Sequence, residues 1–192
     1  MTEASLGTTQ IARWHGGAEA ALMLFFDDSM PCHLENAIPA LLERGLTGTF
    51  YVNPGTEWFR AERERWESEV PRTGMEYGDH TMTHRGSTDP EEIEREIIEC
   101  RQFIERFNPP SRTSPLMSYV TPGGLTEGRW LLSESHLEAL LKKLHLVPRP
   151  STRGCAAGRD LNTAEEMFAQ AEKALAERSA GIVSYHGVGG GW

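Results

Sequence analysis

Short apolar runs alternate along the chain with longer stretches in which apolar residues recur every three or four positions, a pattern that predicts strands separated by helices. Leu22 to Phe26 is a continuous apolar run of the kind that forms a strand buried on both faces, and it stops at Asp27-Asp28. Leu34, Ile38, Leu41 and Leu42 follow at helical spacing, with Pro39 tolerated near the first turn and Gly45 closing the helix. Thr47 to Val52 reads as a second strand, stopped by Asn53-Pro54-Gly55. The charged stretch 56–70 reads as a surface helix with Trp58, Phe59 and Trp66 on its inner side, and Met75 to Gly78 as a short third strand. Asp89-Pro90 opens a long helix in which Ile93, Ile97, Cys100 and Ile104 share one face. Leu116 to Val120 is a fourth strand, 130–144 a helix by its Leu137, Leu140, Leu141, Leu144 spacing, and Leu146-Val147 the start of a fifth strand. Thr163-Ala164-Glu165-Glu166 is a capping box, and the helix behind it is expected to bury Met167, Phe168, Ala171 and Leu175. Gly181 to Tyr185 is the last strand, ending at His186.

Strand followed by helix, repeated without a hairpin signal, implies an α/β fold of parallel strands with crossover helices. At 192 residues, with no Pro/Ser linker, the chain fits one domain. Asp27, Asp28, Asp79, His80 and His186 all follow the C-terminal end of a predicted strand. In parallel barrels and open α/β sheets that edge is where active sites gather.

Charge narrows the choice of partner. A formal net charge of -9 argues against nucleic acid or an anionic membrane surface and suits a neutral substrate. Three cysteines, Cys32, Cys100 and Cys155, without a CxxC pair imply reduced thiols, with neither a disulfide framework nor a cysteine zinc site. Residues 1–17 lack the apolar core of a signal peptide, and no apolar run approaches the ~20 residues that span a bilayer, so a soluble, cytoplasmic protein is expected.

The candidate chemistry lies in Tyr77 to His84, where two histidines stand four positions apart. On a helix or a tight helical turn, His80 and His84 share a face and can reach one divalent ion. Such an ion needs a hard, charged third ligand, and the Asp27-Asp28 pair at a strand end is the obvious donor. Taken separately, each piece has an ordinary reading, a locally bonded histidine pair or an Asp turn. Their combination at strand ends favours a metal site.

The order Phe26-Asp27-Asp28, Gly78-Asp79-His80-Thr81-Met82-Thr83-His84, Pro122-Gly123-Gly124 and Ser184-Tyr185-His186 resembles the polysaccharide deacetylase family, the NodB-homology domain of carbohydrate esterase family four. The likeness runs from about residue 21 to the end, leaving 1–20 as an N-terminal segment. It implies an incomplete, distorted (β/α) barrel that, here, lacks a final covering helix after Gly187-Val188-Gly189-Gly190-Gly191. It implies Asp27 as catalytic base, Asp28, His80 and His84 as metal ligands, and His186 as the acid. Asp160 is the counterpart of the acidic residue that supports the late histidine. Zinc is the implied ion, with cobalt, manganese or nickel as substitutes.

The chemistry suits these residue types. An acetamide is a poor electrophile with a poor leaving group, so its hydrolysis needs an activated water, a stabilised oxyanion and a proton donor. The backbone N–H near Gly123 is a candidate oxyanion donor, because glycine permits close approach. Tyr119, Trp130 and Trp192 read either as packing residues or as a sugar-stacking wall.

Several positions depart from the family pattern. The arginine that usually holds the catalytic base is replaced by Val120, which leaves Arg149, Arg153 and Arg159 as candidates for its task. Ser29 stands where glycine is usual and Ser184 where leucine is usual, so a more polar acetyl pocket is expected. Three readings follow: removal of acetyl groups from N-acetylated amino sugars in oligo- or polysaccharides; the same chemistry on an O-acetyl ester, small amide or cyclic imide; or a non-catalytic metal- or carbohydrate-binding domain. An uncovered edge beside Ile182 and Val183 would favour a homodimer.

Overall fold

The computed structural model describes residues 13–107, 116–123, 130, 132–150, 156–159 and 161–189. Among them seven strands form one sheet: β1 (Ala21–Asp27), β2 (Thr49–Val52), β3 (Glu76–Asp79), β4 (Met117–Tyr119), β5 (Leu146–Pro148), β6 (Ala156–Arg159) and β7 (Ala180–Tyr185). The helices are α1 (Ile38–Glu43), α2 (Glu57–Ala61), α3 (Pro90–Glu105), α4 (Glu134–Lys143) and α5 (Ala164–Ala176). Every strand pairing is parallel, and the order is β5-β4-β3-β2-β1-β7-β6. Followed around a cylinder, this is a barrel in sequence order, opened between β5 and β6. The fold is therefore an incomplete (β/α) barrel, with β1 an interior strand between the second strand and the last.

Strand alternation divides the interior into two layers. Phe26, Phe50, Tyr77, Met117, Tyr119 and Val183 face outward, under helices that contribute Leu41, Ile93, Ile97, Ile104 and Leu141. Phe25, Tyr51 and Ile182 face inward, with Met23 and Val120 against them. Asp27, two residues after Phe25, continues the inward-facing set. The α3 face expected from its periodicity is buried, with Ile93, Ile97, Cys100 and Ile104 each at 1% exposure or less.

Four expectations need correction. β6 carries no strand signal, since Ala156-Ala157-Gly158-Arg159 lacks β-branched and aromatic residues, yet it pairs with β7 along its full length. β7 is consequently an interior strand, Ile182 and Val183 are buried, and the physical ground for a homodimer over that edge is gone. The stripe expected of α5 is also turned. Its capping box is present, but Phe168 and Leu175 are exposed, because the helix meets the sheet through Ala174, which packs against Gly181. Stretch 56–70 is not one helix but α2 followed by a π-helical turn, Arg65–Glu69, which buries Phe59 and Trp66 and leaves Trp58 exposed. No helix among the described residues is long and apolar enough to cross a membrane.

Candidate active site

The backbone turns sharply at the end of β1. Asp28 (φ 77°) and Ser29 (φ 53°) both adopt the left-handed conformation, which non-glycine residues rarely hold without tertiary support. Here the support is the Ser29 hydroxyl, which accepts the Asn53 N–H at 2.9 Å and ties this turn to the end of β2. The turn lets the two neighbouring carboxylates diverge.

Asp28 meets the histidines. Its Oδ1 lies 3.3 Å from Nε2 of both His80 and His84, and one donor atom from each of the three side chains falls within 4.8 Å of the others. Segment 80–84 is not helical, contrary to the expected i, i+4 face; Thr81 (φ 66°) and His84 (φ 58°) are left-handed and the segment is a bent loop. Side chains shape it instead. The Asn53 amide donates to the carbonyls of His80 (2.5 Å) and Thr81 (3.1 Å), Thr81 Oγ1 accepts from His84 N (3.2 Å), and Glu96 of α3 accepts from the N–H and hydroxyl of Thr83.

The donor set fits a divalent ion. His80 Nδ1 donates to the Val120 carbonyl at 2.9 Å, which leaves its Nε2 lone pair aimed at Asp28. Burial lowers the pKa of His84 and favours its neutral, ligating form, against the opposing pull of Asp28. Burial pushes the Asp28 carboxyl up, but His80, His84 and His186 outweigh it and hold the group below its ordinary value. Asp28 Oδ1 is buried without a hydrogen-bond partner, as a carboxylate poised to ligate would be.

Asp27 points elsewhere. Both its carboxylate oxygens accept from Arg149 Nη1, at 2.7 and 2.9 Å, so Arg149, one of the three arginines offered in place of Val120, reaches Asp27. Arg149 follows β5, its N–H donates to the Tyr119 carbonyl at 2.6 Å, and its guanidinium lies 4.9 Å from the Tyr51 ring and 5.6 Å from the Phe25 ring. The Tyr51 hydroxyl and Ser118 share a 2.6 Å hydrogen bond. Gly78 makes room for this ring: a Cβ there would sit 2.5 Å from Tyr51 Cδ1.

His186 follows β7 and places Nε2 3.9 Å from Asp28 Oδ2. The structure thus brings Asp27, Asp28, His80, His84 and His186 to one edge of the sheet. Gly123 is exposed on the loop after β4, just beyond Val120. Tyr119 is buried at 2% exposure, its hydroxyl accepting from Thr121, so its ring is a core element; it also borders a cavity of about 880 Å³ shared with Val120, Leu137, Leu141 and Arg149. Asp160, Arg153 and Trp192 lie outside the described residues. Asn53 and His33 carry no site signal in the sequence: an Asn-Pro-Gly turn and a single histidine do not show the loops they join.

An opened (β/α) barrel with two histidines and an aspartate converging at the carboxyl ends of its strands defines a class, the deacetylase-like hydrolases. Residues 16–138, well over half the chain, match the family described as polysaccharide deacetylase, and the chain belongs to that family. No curated protein matches the sequence. Among solved structures it is similar to the family 4 carbohydrate esterase from Streptomyces lividans in complex with acetate (16% identity, TM-score 0.57, 87% of this chain and 79% of that one). It is also similar to the catalytic domain of peptidoglycan N-acetylglucosamine deacetylase from Eubacterium rectale (13% identity, TM-score 0.61, 92% and 80%). A third similar structure is a mutant of a CE4 family pseudoenzyme with restored enzymatic activity (15% identity, TM-score 0.59), and this chain covers 57% of its length.

Proposed function

We propose that this protein is a metal-dependent hydrolase that removes acetyl groups from N-acetylated amino sugars in oligo- or polysaccharides. The observation that carries the reading is the division of labour at Asp27-Asp28: one carboxylate is held by Arg149, the other faces two histidine Nε2 atoms. Asp28, His80 and His84 would hold the ion, with zinc preferred for a two-nitrogen, one-carboxylate set and cobalt, manganese or nickel as substitutes. When bound, a divalent ion would polarise the acetyl carbonyl and acidify a water. Asp27 takes the proton from the attacking water, with Arg149 fixing its orientation. His186 gives a proton to the departing amine nitrogen, and the Gly123 N–H is a donor for the developing oxyanion.

A disabled, purely binding domain loses its main support, since the guanidinium missing from position 120 is supplied by Arg149. The test combines elemental analysis with turnover on acetylated glucosamine oligomers and on an O-acetylated sugar. Near-unit metal occupancy with amide turnover is expected. Turnover of the ester alone would move the reading to an esterase, and metal without either activity to a binding domain.

A further inference from the structure

The mechanism above leaves one buried histidine unused. His33 is fully buried in the π-helical turn His33–Ala37, its ring edge-on to Phe26 (5.6 Å) and Phe50 (5.7 Å). Its Nε2 lies 2.5 Å from the carbonyl oxygen of His186. A carbonyl only accepts, so Nε2 carries the proton and Nδ1 is bare, and Nδ1 is buried without a hydrogen-bond partner. Burial accordingly pulls the imidazole down to a pKa of about 4 and keeps it neutral.

For stability alone this is a poor choice. A buried nitrogen without a partner costs free energy that a leucine or phenylalanine in the same aromatic box would not incur. What the histidine provides is one directed hydrogen bond to the peptide of His186. Two further tethers run between the same segments: Val188 N–H donates to Cys32 Sγ (3.4 Å), and the Asn36 amide donates to the Val188 carbonyl (2.8 Å). Gly189 has a φ of +82°, and a Cβ there would meet Asn36 Nδ2 at 2.7 Å, so the chain passes close over Asn36. Segment 32–36 follows the turn that carries Asp27 and Asp28. One short stretch therefore ties the base and ligand side of the site to the loop that begins with His186.

We infer that His33 is a positioning residue: with Cys32 and Asn36 it clamps the His186–Gly189 loop and holds the His186 imidazole at the site, where it protonates the leaving group. The inference rests on the deacetylase reading proposed above. It separates two classes of substrate. An amide needs a proton delivered to its nitrogen, whereas an aryl acetate expels a stable phenolate without one.

The test uses the metal-loaded full chain and three variants, His33→Leu (volume without the donor), His33→Gln (donor retained) and Asn36→Ala (one outer tether removed). Hydrolysis of acetylated glucosamine oligomers and of an aryl acetate is measured, together with metal content and amide hydrogen exchange across 184–189. In His33→Leu, kcat on the amide should fall by roughly tenfold to a hundredfold, less than the 10²- to 10⁴-fold of losing the acid itself. KM, aryl acetate turnover and metal content should stay unchanged while exchange across 184–189 quickens; Gln should restore most of the loss, and Asn36→Ala should show a smaller version of it. Equal loss on both substrates, no loss on the amide, or unchanged exchange in His33→Leu overturns the clamp. If His33→Leu does not fold, Asn36→Ala and His33→Gln decide the matter by the same substrate ratio and exchange. Wild-type protein that binds metal but cleaves neither substrate overturns the deacetylase reading and the catalytic part of this inference with it, while the exchange comparison still decides the tether.

Discussion

Arg149 and Asp27 are 122 residues apart in sequence, yet Nη1 of the first lies 2.7 and 2.9 Å from the two carboxylate oxygens of the second. Asp27 is nearly inaccessible, with 5% of its side chain exposed, and Arg149 retains 21%. Arg149→Ala leaves that carboxylate without its counter-charge. The expected cost is about 3 kcal/mol, the low end for a broken buried pair because Arg149 is only partly buried. Turnover should fall by about 10²-fold through misplacement of the base. Arg149→Lys should recover less than half of the stability, since an ammonium does not reproduce a guanidinium stacked on Tyr51. Urea unfolding and steady-state kinetics of both variants check this; an Ala variant with wild-type kcat would show that Arg149 does not serve the base.

The neighbouring carboxylates should fail differently. Asp27→Asn should keep metal and lose about 10²- to 10⁴-fold in turnover, as for a missing general base. Asp28→Asn should lose metal first, with activity partly recovered at high metal concentration. His80→Ala should likewise lose most of the ion. Elemental analysis beside kinetics distinguishes the cases, and a metal-free Asp27→Asn beside a metal-filled Asp28→Asn would reverse the roles.

Gly78→Ala tests the route from packing to chemistry. The added methyl would overlap the Tyr51 ring, the platform on which Arg149 lies. A loss of about 1–3 kcal/mol is expected from overpacking. Turnover should drop more than metal content, because the strain reaches Arg149 before it reaches the ligands. Wild-type turnover in a folded Gly78→Ala would sever that connection.

Asp79 gives stability a definite pH dependence. Burial raises its carboxyl from 3.8 to about 7, so the folded protein holds a proton that the unfolded chain has released. The stabilising contribution is full below the unfolded value and is lost as pH rises through 7. His33 acts in the opposite sense: neutral when folded down to about 4, it contributes above 6.5 and loses that contribution as pH falls toward 4. Asp79→Asn keeps an acceptor for the Thr81 N–H and removes only the proton exchange. In metal-stripped protein, urea unfolding should show the variant gaining on wild type between about pH 4 and pH 7 and holding that gain above. A constant difference across that range would contradict the assignment.

Much of this was legible from residue pattern. Short segments between turn and helix signals located six of the seven strands, most plainly β1, whose Leu22 to Phe26 is continuous in apolar character, and the position of Asp27, Asp28, His80 and His186 after such segments located the site. β6 was hidden because Ala-Ala-Gly-Arg joins the sheet through its neighbour rather than through its own preference. The outward turn of Phe168 and Leu175 was equally hidden, since periodicity shows that a helix has an apolar face and not which residues the sheet accepts. The shape of His80 to His84 depends on Asn53 and Glu96, from other elements, which is why ligand spacing alone suggested a helical turn. Arg149 could be named as a candidate but not chosen, because the choice is made by how β5 lies beside β4.

The sheet order bears on how the molecule comes into being. β1 is the first strand of the sheet to leave the ribosome and lies between β2 and β7, so one of its two edges waits for residues 180–185. During synthesis Asp28, His80 and His84, the proposed ligands, emerge early, whereas Arg149, which pairs with Asp27, comes later and His186 follows the last strand. Domains tend to fold as units, and pairings this distant in sequence close slowly. The sheet edge that gathers Asp27, Asp28 and His186 is therefore complete only when the last strand pairs with the first.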